Sequence, residues 1–169
     1  MNATELVKDL PITPVAGLVA TKVMEAVDEQ LYRLESETDR KREDQVRPGS
    51  PHEIAAKNLL RALGIEPEGN ALTNVGMAFH YGLASSSVPV YFVLRRGARM
   101  NWIASGLVIG AAMSLLVDET LTPLMGLAAP NRQYPLSTHV RGFLAHLATG
   151  LAVAAFTEIA WTALRRKPH

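Results

Sequence analysis

Residues 71–94, ALTNVGMAFHYGLASSSVPVYFVL, hold no Asp, Glu, Lys or Arg, and His80 is their only group that titrates near neutral pH. At about 1.5 Å per helical residue, these 24 residues reach about 30 Å or more, the thickness of the hydrocarbon core of a bilayer. A helix buried in a soluble domain seldom needs such a length. The stretch predicts a transmembrane helix, and with it an all-α chain.

Working outward, residues 102–120 form a second span: Trp102 to Val117 is uncharged, and Asp118 and Glu119 fall at the interface. Residues 142–164 form another, interrupted by His146 and Glu158. Residues 10–31 are expected to cross as well, although Lys22, Glu25, Asp28 and Glu29 break the run. Past it, Met24, Val27, Leu31 and Leu34 keep a three-four spacing among charged neighbours, as in an amphipathic helix that outlasts the bilayer. The polar loop 35–70 then holds Arg47-Pro48-Gly49-Ser50-Pro51 as a break. After it, Ser50 and Glu53 have capping-box spacing, Pro51 fits the first helical position, and Ile54, Leu59, Leu60 and Leu63 give an apolar side ending at Gly64. The expected architecture is one domain, a polytopic membrane bundle of four transmembrane helices with a charged loop that carries a short amphipathic surface helix.

Orientation follows from basic residues beside the span ends. Arg95, Arg96 and Arg99 follow the second span, and Arg165, Arg166 and Lys167 follow the fourth. Four spans put both clusters on one side and both termini in the cytoplasm; Arg33, Arg40, Lys41, Arg42 and Arg47 in the first loop weigh against that orientation. Lys8 ahead of an apolar run with Ala16, Gly17 and Ala20 resembles a signal peptide, but the polar residues 1–5 and the helical continuation past Lys22 argue against cleavage.

Composition removes several classes. A net charge of +1, dispersed basic residues and 6% aromatic content leave no stripe for nucleic acid. The absence of cysteine removes thiolate nucleophiles, disulfides and cysteine metal sites. The mean hydropathy of +0.09 averages long uncharged runs with one very polar segment.

Pro123-Leu124-Met125-Gly126-Leu127-Ala128-Ala129-Pro130, then Tyr134-Pro135-Leu136, Gly142-Phe143-Leu144-Ala145-His146-Leu147 and a closing Glu158-Ile159 with Arg165-Arg166 resemble the YagU-like family of bacterial inner-membrane proteins. The likeness covers roughly the last fifty residues well and the earlier chain in layout. It implies a small multi-span protein of the bacterial inner membrane and carries no catalytic residue; the spacing from His146 to Glu158 is longer than the family pattern.

Helices in lipid associate through small residues and polar contacts, because lipid tails are as apolar as leucine. Gly106, Gly110 and Ser114 fall at four-residue steps, with Asp118 next, and predict a packing face within the bundle or for self-association with a second copy or a membrane partner. Thr73, Gly76, His80, Ala84 and Ser87 make an inward stripe on the second span, and His139, Gly142, His146, Gly150, Ala154 and Glu158 make one on the fourth. Lys22 and Glu25 can pair on the first.

Ionisable groups at bilayer depth are costly unless protonated, paired or wetted, and Glu158 and His80 stand out for that reason. Together Asp118, Glu119, His139, His146, His80, Lys22, Glu25 and Glu158 are candidates for a proton or ion path; the plainer reading is paired structural contacts. Neither H-E-x-x-H, G-x-S-x-G nor a phosphate loop occurs, and the histidine spacings fit no usual metal pattern, so catalytic residues, metal and cofactor are all expected to be none. The serines Ser85, Ser86 and Ser87 suggest packing rather than an intramembrane hydrolase. The leading expectation is a non-enzymatic scaffold or envelope-homeostasis component in the inner membrane, with a small proton- or ion-coupled transport unit as the alternative.

Overall fold

The computed structural model describes residues 7–66 and 70–165, and every regular element within them is helical. We number six: α1 (Ile12–Leu34), α2 (Glu37–Val46), α3 (Pro51–Ala62), α4 (Asn70–Phe92), α5 (Trp102–Ala112) and α6 (Leu136–Arg165). A π-helical turn, Val93–Gly97, prolongs α4. Wider π turns over Met113–Leu121 and a last α-helical turn, Thr122–Leu124, prolong α5. The residues preceding Val7, together with Arg166 and Lys167 of the expected basic end, lie outside the described residues.

α1 and α6 occupy the middle of the bundle, with α4 on the far side of α1 and α5 on the far side of α6. Neighbours alternate in direction. Asp9 just before α1 meets Arg96 past the end of α4, whereas Asp28 near the end of α1 meets Arg141 near the start of α6. The start of α1 and the end of α6 therefore share one end of the bundle, here the terminal end. The opposite, cap end carries α2 and the first turns of α6.

Close crossings explain the small residues. A Cβ added at Gly17 would stand 2.7 Å from the Ser85 Cα, so α1 and α4 touch backbone to backbone there. One at Gly106 would stand 2.7 Å from the Gly150 carbonyl oxygen, and one at Gly110 would stand 2.7 Å from the Leu147 Cα. Gly106, Gly110 and Ser114 are thus buried against the chain's own last helix. The face expected to serve self-association is filled from within, because only glycine against glycine lets α5 and α6 approach so closely.

Small and hydroxyl-bearing residues share the interior with an apolar core, while many large apolar residues face outward. Inside sit Ala16, Ala20, Thr21, Ser87, Ser105, Ser114, Thr149, Ala154 and Thr157, with a few large residues such as Phe92, Ile109, Val153 and Trp161. Outside are Val15 and Leu18 on α1, Leu83 and Val90 on α4, Leu107, Leu115 and Leu116 along α5, and Leu144 and Ile159 on α6.

Two helices, Trp102–Leu124 and Leu136–Leu164, are long and apolar enough to cross a membrane. They are only 22% and 39% buried over their apolar windows, unlike the core helix of a soluble protein. The other two expected spans fall short of that measure. α1 carries Lys22, Glu25, Asp28 and Glu29, and α4, though uncharged, is diluted by Asn74, His80 and three serines. Freedom from charge is not the same as hydrophobicity.

The polar loop is more ordered than its composition implied. Ser36 Oγ accepts from the Asp39 amide at 3.1 Å and starts α2, an element the sequence reading left as loop. α3 occupies the expected range and closes at Gly64, whose φ of +75° needs glycine; Ile65 N donates to Leu60 O at 2.9 Å across the turn. The expected capping box does not form: the Ser50 side chain makes no cap bond, the Glu53 amide donates to the Ser50 carbonyl at 3.0 Å instead, and the Glu53 side chain lies over Gly76 of α4.

Candidate functional site: two layers of paired charges

Almost every ionisable group on the inner faces has a partner on another helix, and the pairs gather at two levels. At the terminal end Arg95 Nε donates to Glu158 Oε1 at 2.7 Å, and the Tyr91 hydroxyl donates to the same oxygen at 2.9 Å. Arg96 pairs with Asp9 and lays its guanidinium 3.6 Å from the centre of the Trp161 ring. Glu158 is therefore held by the end of α4. The Arg165 side chain and Arg166 lie outside the described residues.

The cap end is richer. Arg141, 4% exposed, reaches three carboxylates from three stretches of chain: Nε donates to Asp28 Oδ1 at 2.8 Å, Nη2 donates to Glu43 Oε1 at 2.7 Å, and Nη1 lies 2.8 Å from Glu35 Oε1. The last contact is an ion pair without hydrogen-bond alignment, and both Glu35 oxygens lack a hydrogen-bond donor. Glu43 is fully buried and also accepts from Thr138 at 2.9 Å and from Arg47. Burial opposes its charge, but the bonds from Arg141, Arg47 and Thr138 outweigh that cost and hold its carboxyl below the usual range. Glu35 goes the other way: burial, aided by the charges of Glu43 and Asp28, raises its carboxyl above the usual range despite Arg141.

This hub clamps α2 to α6, and the sequence reading missed it. Arg141 sits one residue before the run 142–164, which only His146 and Glu158 interrupt, and its partners Asp28 and Glu43 lie 113 and 98 residues away in the sequence. The available signal was an arginine close behind the start of a long apolar helix, where a snorkelling chain or a buried acid is required.

Beside the hub, Glu119 Oε1 lies 2.7 Å from His139 Nδ1, and Asn131 Nδ2 donates to Glu119 Oε2 at 2.8 Å. His139 Nε2 faces the Asn131 carbonyl at 3.1 Å, so both ring nitrogens lie against oxygen atoms. His146 Nε2 meets Asp118 Oδ2 at 2.5 Å, and its Nδ1 is buried with no partner. The wider turns of α5 make this pair possible. Four-residue steps drift by about 40° each on an ideal α-helix, and the π turns over 113–121 counter that drift between Ser114 and Asp118.

Lys22 donates to Glu25 at 2.7 Å, as the spacing predicted, and Glu25 lies 3.8 Å from His80 Nε2. His80 also stacks on His52 of α3, ring centres 4.9 Å apart. The structure thus brings Lys22, Glu25 and His80 together, Asp118 to His146 and Glu119 to His139, while Glu158 stands apart at the other end. Among the described residues no hydrogen bond or ion pair links the two levels, and Ala16, Val88, Ile109 and Val153 fill the space between. The three serines of α4 are accounted for locally: Ser85 meets Gly17, Ser86 donates to Leu83 O, and Ser87 donates to Ala84 O. No cluster of metal-ligating side chains occurs among the described residues.

Comparisons with known protein families, with curated proteins and with solved structures found no match to this chain.

Proposed function

We propose that this chain is a four-span integral protein of the bacterial inner membrane, similar in kind to the YagU-like proteins, whose role is structural: an apolar bundle that holds a rigid charged cap at the membrane surface. The observation that carries the reading is the spacing of the charge layers. Asp9 and Glu25 are 16 residues apart, His80 and Arg96 16, and Arg141 and Glu158 17. At helical rise this is about 24–26 Å, close to a hydrocarbon core, and it recurs on α1, α4 and α6. Between these levels the outward side chains are large and apolar, so α1 and α4 gain membrane character from the bundle that their own composition lacks. Lys22, with an exposed side chain, reaches along α1 to Glu25 at the layer's edge.

Arg95, Arg96 and Arg99 at the terminal end favour a cytoplasmic location for that end. Several cationic groups of the cap are already engaged: Arg47 with Glu43, Lys41 with Glu37, Arg33 with Glu29. Contacts closed within each level, with no hydrogen bond or ion pair between the two levels among the described residues, favour a structural role over permeation. A second reading, a proton-coupled unit, draws on the buried, unpartnered Nδ1 of His146.

Two measurements test these readings. The protein is expected to stay in the membrane pellet after alkaline carbonate washing; release into the supernatant sinks the integral reading. Vesicles reconstituted with it are expected to hold a proton gradient as long as protein-free vesicles. A faster decay that slows in Glu158→Gln with His80→Ala sinks the structural role and establishes the second reading.

A further inference from the structure

α3 rests chiefly on one neighbour. It packs along the first half of α4 and makes no comparable contact with another helix among the described residues. Its seat is narrow. Ala56 is fully buried, and at Gly76 an added Cβ would stand 3.2 Å from Glu53 Cγ and 3.3 Å from His52 Cδ2. Leu59 and Leu63, at its far end, remain exposed. The seat therefore depends on His52 lying against His80.

The geometry points to α3 as a proton-released cover over the His80–Glu25 pair, seated when His52 and His80 are not both charged and lifted when both are. Imidazole is the side chain that changes charge between about pH 5 and 8. The groups facing this contact are Glu25 and Lys22 from α1, Glu53 beside His52 on α3, Tyr81 next to His80, and His146 from α6 at longer range. The Glu25 carboxylate, 3.8 Å from His80 Nε2, offsets one positive charge at this contact. Two charged rings stand as cations across a contact of 4.9 Å, and Lys22 opposes the charge on His80. In the lifted state the ring contact is gone, and with it the repulsion between the two rings. The open form thus binds at least one more proton than the closed form, and the opening equilibrium rises about tenfold per pH unit through that range. What opening exposes is His80 with Glu25, at the cap-side edge of the apolar layer.

Amide hydrogen exchange of the full chain in detergent tests this, with rates corrected for the intrinsic dependence on pH. Protection of 51–62 is expected to fall at least about tenfold between about pH 7.5 and about pH 5.5, while α5 amides keep theirs. His52→Gln is expected to cut that change to less than about twofold. Glu25→Gln is expected to move the transition to lower pH, an effect that loss of packing alone does not produce. Equal protection of α3 at both pH values in the unaltered chain overturns the proposal. So does an undiminished pH effect in both His52→Gln and His80→Gln.

Discussion

Arg141 shows how one residue decides what the polar segment does. A buried guanidinium without acids is prohibitive, and the fully buried Glu43 without the arginine is equally so, so Arg141 and Glu43 depend on each other to fold. Breaking such a pair from one side costs about 3–5 kcal/mol, because the partner is left charged and buried. Arg141→Leu is therefore expected to detach α2 and lower the midpoint of thermal unfolding in detergent. The two glutamates separate by sign. Glu43, with a depressed carboxyl, contributes stability that is present above the ordinary carboxylate range and lost as pH falls through its folded value. Glu35, with a raised one, is better tolerated protonated; its contribution is full below the ordinary range and is lost as pH rises through its folded value. Glu43→Gln should destabilise at neutral pH by about 1–3 kcal/mol, whereas Glu35→Gln should be neutral or stabilising there. The order of the two unfolding midpoints checks this, and the reverse order would refute the assignment of burial and pairing.

At the scale of elements, two glycines in long helices make opposite predictions. Gly110 lies where α5 meets the His146–Leu147 backbone, and an alanine there forces the helices apart, at about 1–3 kcal/mol. Gly82 has open space around its absent side chain, so Gly82→Ala should stabilise α4 by about 0.5–1 kcal/mol. Equal effects in a denaturant titration would count against the described crossing. The sequence made the first of these visible, since the four-residue steps of Gly106, Gly110 and Ser114 could be read directly. It could not say which helix fills the face, because a small-residue stripe is the same whether its partner is α6 or another chain. Lys22 with Glu25 was legible for a similar reason, both residues lying on one helix. Glu158 with Arg95 was not: residues 63 apart meet only once the order of helices is known. Of the capping box at Ser50, the Glu53 half was lost to a tertiary contact over Gly76, and the Glu53 amide turned to the Ser50 carbonyl rather than to its side chain.

For the whole molecule, the decisive property is a distance rather than a composition. Uncharged length marks 71–94 as the leading span, yet α4 and α1 are less apolar than α5 and α6; what unites α1, α4 and α6 is the recurrence of charge after 16 or 17 residues. That recurrence is invisible along one helix, where His80 or Glu25 looks like a misplaced polar residue, and becomes a level only when the antiparallel neighbours line up. On the proposed four-span reading, this layer of about 24–26 Å lies below the mean hydrocarbon thickness of about 30 Å. Bilayers that match it would then leave both charge layers at the headgroups. In thicker ones Glu158–Arg95 and Asp118–His146 sink below the surface, and tilting helps only in part because the pairs tie neighbouring helices at both ends. Unfolding midpoints should therefore peak in short-chain to medium-chain phosphatidylcholine of about 25 Å and fall in long-chain bilayers of about 35 Å. Glu158→Gln should flatten that fall by removing the charge that resists burial at the terminal end. A midpoint that rises steadily with thickness would mean that the paired charges do not mark the edges of the embedded layer.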